Sequence, residues 1–383
     1  MSRTVLILGA GIGGIVAAEN LRKLLPREDR VVVIDRTPEH VFPPSLLWLM
    51  VGDRQDAQIS RPLSRIERHG VELVQGNITR IDPAGLTVDV DGRSLYGDAI
   101  IVALGAEYVP EAIPGLREAG HCIYTLAGAT AIHDALGQFS GGRIVILTAT
   151  PQYKCPAAPY EAAMLVDSFC RSKGMRNQTR IDLYAAEPGP MMTAGPAISA
   201  ALRGMVEQRD ITYHPEHQVK TVDAQAQRVA FANGTEAEFD LLFYVPPHRA
   251  PSVVKEASLV NESGWIPVDR NTLQTRYENV FAIGDVTTIP LKMGRPLPKA
   301  GVLAHGQAEV VAHNLAHAWT GKGAPRRFMG EGSCFIEIGN GRAGMGSGNF
   351  FAEPVPQISM RQPGLLWHIG KVIYEKYWLF SRF

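Results

Sequence analysis

Cysteine is scarce in this chain: 383 residues hold four, Cys122, Cys155, Cys170 and Cys334. Four widely separated cysteines exclude the disulfide framework of a small secreted domain and the CxxC spacing of a zinc site, and no metal is expected. Excess charge is missing as well. The 38 basic and 38 acidic side chains sum to +0, so no global field draws in nucleic acid, and no nucleic-acid partner is expected. No apolar run reaches the roughly eighteen residues that a spanning helix needs. The first apolar stretch, Val5 to Leu8, runs into glycines rather than a cleavage site, so no signal peptide is expected and the chain is read as cytoplasmic. In that compartment a cysteine pair serves redox chemistry rather than stapling. With 45% hydrophobic and 20% charged residues, disorder is excluded and two or three domains with their own cores are expected.

What is present begins at the amino terminus. Thr4 to Leu8 reads as a buried parallel strand. Gly9-Ala10-Gly11-Ile12-Gly13-Gly14 follows, fitting G-x-G-x-x-G at Gly9, Gly11 and Gly14. Ile15 to Leu25 has helical composition, and Val31 to Ile34 is a second strand ending in Asp35. Gly9 suits a tight turn, Gly11 a close approach of pyrophosphate, and Gly14 a close helix–strand contact. The helix N-terminus favours phosphate, and Asp35 can accept from ribose hydroxyls. A lone glycine fingerprint is weak, but strand, glycines, helix, strand and acid in this order specify a dinucleotide site.

Asp98 to Leu104 is a further apolar strand leading into Gly105-Ala106. Asn279 to Ile283 is another, delivering Gly284 and Asp285. Gly141-Gly142-Arg143 opens onto Ile144 to Leu147, which looks like the start of a second nucleotide-binding unit. No glycine fingerprint follows it. The chain reads Thr148-Ala149-Thr150-Pro151-Gln152-Tyr153-Lys154-Cys155-Pro156, with side chains and prolines where a pyrophosphate needs bare backbone. A nicotinamide nucleotide is therefore a poor electron source here. Cys155 lies beside Lys154 and just before a helix start, both of which favour thiolate, against the alternative of an inert buried thiol. Glu161 reads equally as an acid or base and as a structural first-turn glutamate. Cys334, in an apolar strand, reads on its own as core, and Cys170 as packing.

The strand–glycine motifs around Gly105 and Gly284-Asp285 resemble those of two-dinucleotide-domain flavoprotein reductases. Cys155-Pro156-Ala157-Ala158-Pro159-Tyr160-Glu161 closely resembles the cysteine motif of sulfide:quinone oxidoreductases. The flavin subunit of flavocytochrome c sulfide dehydrogenase has a similar one. Val245-Pro246-Pro247-His248-Arg249 and Leu297-Pro298-Lys299-Ala300-Gly301 extend the resemblance over nearly the whole chain. It implies an α/β fold of two Rossmann-like domains in the glutathione reductase arrangement. The expected divisions are an FAD domain in two parts (1–115 and 266–325), a second Rossmann-like domain (116–265) with a degenerate nucleotide site, and a C-terminal region (326–383). It also implies FAD held by Gly9, Ala10, Gly11, Gly14, Asp35, Gly105, Gly284 and Asp285, with Lys299 near the pyrimidine end of the flavin. Cys155 and Cys334 become a redox pair assisted by Glu161, with sulfide as reductant and membrane quinone as acceptor. His248 and His305 are weaker candidates. The alternatives are a cytochrome c acceptor, an NADH:quinone oxidoreductase, or a flavin-binding protein without turnover.

Some members of the resembled family carry a third cysteine just before a threonine. Tyr124 precedes Thr125 here, with Cys122 two residues earlier, so a two-cysteine enzyme is expected. The tail after Pro363 mixes Trp367, Ile369, Ile373, Tyr377, Trp378, Leu379 and Phe380 with Lys371, Lys376 and Arg382. It reads as an amphipathic helix lying on the cytoplasmic face of the membrane, cations toward anionic lipid, against the alternative of a helix docked on the protein's core. A homo-oligomer is compatible with the sequence.

Overall fold

A computed structural model describes residues 2–383. Two five-stranded parallel sheets dominate it. The first has the order Val280–Ala282, Ala99–Val102, Thr4–Leu8, Arg30–Asp35, Glu72–Gln75. The second has the order His121–Cys122, Leu241–Val245, Gly142–Thr148, Thr179–Tyr184, Ile211–His214. Their central strands are unbroken apolar runs because helices or loops cover both faces, as parallel sheets require. The helix Ile12–Leu24 packs against the helix Gly301–Thr320 over one face of the first sheet. The expected α/β architecture, with a helix closing the chain, is the one observed.

Beyond these units lies a three-stranded antiparallel sheet, Glu331–Gly339, Arg342–Asn349 and Gln357–Gly364, and then the helix Leu365–Ser381. The strand Glu331–Gly339 lies along the helix Ala158–Ser172, which starts three residues after Cys155. Two contacts fix its register. The Glu337 N–H donates to Glu161 at 2.9 Å, and the Asn340 N–H donates to the Ser168 hydroxyl at 3.0 Å. Glu337 meets Glu161 and Asn340, just past the strand, meets Ser168, so strand and helix run in the same direction. Running both back toward their N-termini carries Cys334 to the end where Cys155 lies.

The C-terminal helix is inverted relative to an ordinary surface helix. Lys371, Glu375, Trp378 and Arg382 are buried, whereas Leu365, Leu366, Ile369, Ile373, Tyr377 and Phe380 are exposed. Glu375 accepts from the Ser45 hydroxyl at 2.6 Å and from Arg54 at 2.9 Å. Trp378 donates to His40 Nε2 at 3.0 Å, and Arg382 pairs with Glu19 of the first helix. This corrects the expectation that its cations face lipid: Lys371 and Arg382 point inward, and only Lys376 is exposed. The helix is docked on the core by charged groups and turns its apolar stripe outward.

Candidate active site

One cavity of about 1870 Å³ runs from the glycine loop to the C-terminal sheet. It exceeds the roughly 300–1,000 Å³ that suits one small ligand, leaving room for a dinucleotide and a second reactant. The three fingerprint glycines do different things. Gly9 has φ +101°, and a Cβ there would come within 2.6 Å of the Ala103 carbonyl; a Cβ on Gly14 would stand 1.9 Å from the Gly9 carbonyl. Those two are demanded by the chain's own packing. A Cβ on Gly11 would meet nothing within 4 Å and would project into the cavity, where only a ligand could forbid it.

Ala10, Asp35, Gly105, Gly284, Asp285 and Lys299 line the same cavity. Asp35 does more than expected. It accepts from the Ala10 N–H at 2.7 Å and from the Thr37 N–H at 2.8 Å, fastening the glycine loop while facing the cavity. One oxygen of Asp285 is buried without any partner. A buried orphan acceptor is costly unless a ligand hydroxyl or N–H satisfies it. Bare backbone at a helix N-terminus and an unpaired carboxylate further along together fit a phosphate- and hydroxyl-bearing dinucleotide such as FAD. Lys299 donates to the Asp285 and Thr287 carbonyls at 2.7 and 2.9 Å, and burial lowers its pKa to about 8, partly offset by Asp285.

Cys155 and Cys334 line the other end, together with Glu161 and Lys371. Cys155 has φ +47° and donates its N–H to the Lys299 carbonyl at 2.6 Å, so its turn is tied to that lysine. The expectation that Lys154 and a helix end make this thiol acidic is not met. Burial, then Cys334 and Glu161, push the Cys155 thiol far up, with Lys371 and Lys154 opposing. Burial and Glu161 likewise push Cys334 up to about 11, with Lys371 opposing. Lys154 lies over the rings of Tyr108 and Tyr124, at 5.0 and 5.6 Å. The cation common to both sulfurs is Lys371, whose ammonium is 3.1 Å from Glu161 and lies 4.7 Å from the Trp48 ring centre. Sequence reasoning missed it. Its spacing with Glu375, Trp378 and Arg382 marks one helix face but does not show that this face turns inward.

Tyr124 lines the cavity and donates to the Lys154 carbonyl at 2.6 Å, whereas Cys122 is not among the lining residues. Cys170 is fully buried. His248 donates Nδ1–H to the Pro246 carbonyl at 2.7 Å between Tyr108 and Tyr124, and burial lowers its pKa to about 4. His305 lines the cavity, 3.4 Å from Glu309.

At the ends of the second sheet's strands, a buried glutamate gathers three hydroxyls. Thr148 donates to Glu187 at 2.8 Å, Tyr160 donates at 2.7 Å, and Tyr153 donates to it as well. Glu187, just past the strand Thr179–Tyr184, is only 5% exposed. Its acceptor sites are occupied by the chain's own hydroxyls, so it has little capacity left for a ribose.

The profile described as pyridine nucleotide-disulphide oxidoreductase matches residues 3–308. A sulfide-quinone reductase of Aquifex aeolicus is 27% identical over 100% of this chain and 91% of its own length. The mitochondrial sulfide:quinone oxidoreductase of Mus musculus is 24% identical over 92% of this chain and 79% of its own. Among solved structures, the sulfide:quinone oxidoreductase of Aquifex aeolicus superposes with a TM-score of 0.88 at 24% identity, covering 100% of this chain and 91% of that one.

Proposed function

The chain belongs to the pyridine nucleotide-disulphide oxidoreductase family, and from that premise we propose an FAD enzyme that oxidises sulfide through Cys155 and Cys334 and passes the electrons to quinone. One observation carries the proposal: two sulfurs far apart in sequence line the same cavity as the dinucleotide loop, with one shared cation. The named relatives, which act on sulfide and quinone, support it.

The residues divide the work as follows. Hydrosulfide attacks one sulfur of a Cys155–Cys334 disulfide; an S–S bond to substrate forms, the protein S–S bond breaks, and the other cysteine leaves as thiolate. A second hydrosulfide takes the sulfane sulfur, releasing a disulfane and leaving two thiolates. Each anion forms in a buried site that disfavours it, so the Lys371 ammonium is placed to stabilise both. FAD, when bound, supplies the two-electron acceptor that re-forms the disulfide and is itself reoxidised by quinone. Gly9 to Gly14 and Asp285 hold that cofactor, and Cys155 is coupled to its pocket through the Lys299 carbonyl.

The test is the visible spectrum of the purified holoprotein under anaerobic conditions. Sulfide is expected to bleach the flavin band and NADH to leave it unchanged over the same period. Bleaching by NADH and not by sulfide would overturn the proposal.

No helix among the described residues is long and apolar enough to cross a membrane. We place quinone reduction at a bilayer surface met by the outward stripe of the C-terminal helix, where Leu366 is 79% and Phe380 88% exposed. Burying that stripe in the acyl boundary is favourable at about 25 cal/mol per Å². The triple variant Leu366→Glu, Ile373→Glu, Phe380→Glu is expected to lose co-sedimentation with liposomes and quinone turnover, while sulfide-driven bleaching persists. Undiminished sedimentation would sink the membrane assignment.

A further inference from the structure

Behind the cysteines lies a set of titratable groups that sulfur exchange does not use. Glu337 is only 1% exposed, yet it is a carboxylate. His368 Nδ1 lies 3.1 Å from both of its oxygens, and the imidazole retains 25% of its surface exposure. On its inner side Glu337 feels the charge of Lys371, and its backbone N–H holds Glu161. Two buried carboxylates therefore share one buried ammonium. With both ionised and His368 neutral the group carries a net negative charge in a poorly solvating site, which is strongly disfavoured unless a proton is also held there. Held on Glu337, that proton donates to His368 Nδ1 at 3.1 Å. Burial raises the pKa of Glu337 in agreement with this, while Lys371 and His368 oppose the rise.

The surrounding charges are few. Facing Lys371 are Glu161, Glu337 and the two active-site thiols. Facing His368 are Glu337, Asp53, which feels its charge, and the edge of Trp48. Arg54 covers Trp48 and is bound to Glu375. A purely structural cluster could have been completed by a second buried cation. The chain instead ends this one on an imidazole that reaches solvent.

Resting on the sulfide reading above, we propose that Glu337 and His368 are the outer half of a proton path that drains the cysteine site through Lys371 and Glu161. Neutral dihydrogen sulfide must lose a proton before its sulfur can attack. Its S–H proton passes to the Glu161 carboxylate, leaving hydrosulfide. Glu337 passes the proton it holds to His368 Nδ1, and His368 releases a proton from Nε2 to water. Lys371 then gives one of its protons to Glu337 and takes up the proton on Glu161, so the carboxylates and the ammonium are restored. One proton leaves per dihydrogen sulfide, and the half-buried imidazole regains its Nε2–H tautomer by proton exchange with water. Glu337 and His368 act through Glu161 and touch no substrate.

The experiment is stopped-flow bleaching of the holoprotein by sulfide for the parent, Glu337→Gln and His368→Ala. At about pH 6, where the substrate arrives protonated, both variants are expected to be slower by on the order of tenfold, a modest share of what proton transfer contributes. The deficit should shrink at about pH 9, where hydrosulfide is supplied from solution, and free imidazole should restore His368→Ala at the lower pH. Equal slowing at every pH with no imidazole rescue would make these residues structural and overturn the path, as would no slowing at all. If Glu337→Gln does not fold, the half-buried His368→Ala with imidazole decides alone. A parent protein that sulfide fails to bleach would bring down the sulfide reading itself and the path with it. A parent that bleaches, with variants that match it, brings down the path alone.

Discussion

Serine at Cys155 is expected to leave FAD bound and to slow bleaching by sulfide by about 10³-fold or more, the scale on which loss of an activated nucleophile is felt. An alcohol at this position cannot form the disulfide that hydrosulfide attacks, and the pair has no spare thiol, since Tyr124 rather than a cysteine lines the cavity nearby. Cys334→Ser should be equally slow. The double variant should be no slower than either single one, because residues that act as a unit do not add. Cofactor retention is the internal control: Gly9, Gly11 and Asp285 line the cavity, and the glycine loop is fastened by Asp35 rather than by either cysteine. If Cys155→Ser were still bleached within about tenfold of the parent rate, sulfur exchange at this pair would not be the reaction. Additive losses in the double variant would mean two independent sites.

Much of the fold was legible because parallel strands declare themselves locally. Thr4 to Leu8, Val31 to Ile34 and Ile144 to Leu147 are apolar runs bounded by glycine or charge, and each is a central strand here. The glycine loop was legible for the same reason: its requirements arise within a few residues of itself and from one neighbouring strand. The absent second fingerprint could also be read from local bulk, although the hydroxyls gathered on Glu187 could not, since its partners Thr148 and Tyr153 come from another strand end.

The tail was misread for a physical reason. Period 3.6 separates Lys371, Glu375, Trp378 and Arg382 from Leu366, Ile369, Ile373 and Phe380, but it does not say which face turns inward. The default assigns the apolar face to the interior or the bilayer and the cations to the outside. Here the inward face is polar because each group has a partner supplied from far away in sequence: Glu161, Ser45, Arg54, His40 and Glu19. Such complementarity is invisible to any local window. For the same reason Cys155 looked acidic beside Lys154, whereas that lysine is taken up by Tyr108 and Tyr124.

Replacing Lys371 with methionine should produce the largest stability loss. The side chain is 5% exposed and its partner Glu161 only 3%. Methionine fills a similar volume, so the loss is electrostatic rather than a cavity. Removing one partner of a buried pair leaves the other charge uncompensated, which costs about 3–5 kcal/mol. Glu337, on the strand Glu331–Gly339, adds a second carboxylate to the same unbalanced site. The double variant Lys371→Met, Glu161→Gln should therefore be more stable than Lys371→Met alone, because the orphaned charge is gone while the Glu337 N–H keeps an acceptor. Denaturant unfolding of the FAD-bound protein measures both, and the cycle isolates the coupling. Kinetics separate the two roles of the lysine. In the double variant stability largely returns, but the thiolates that sulfide attack creates still lack their common cation, so bleaching should remain slow. A double variant that regained full bleaching along with its stability would show that Lys371 only neutralises Glu161 and does nothing for the sulfurs.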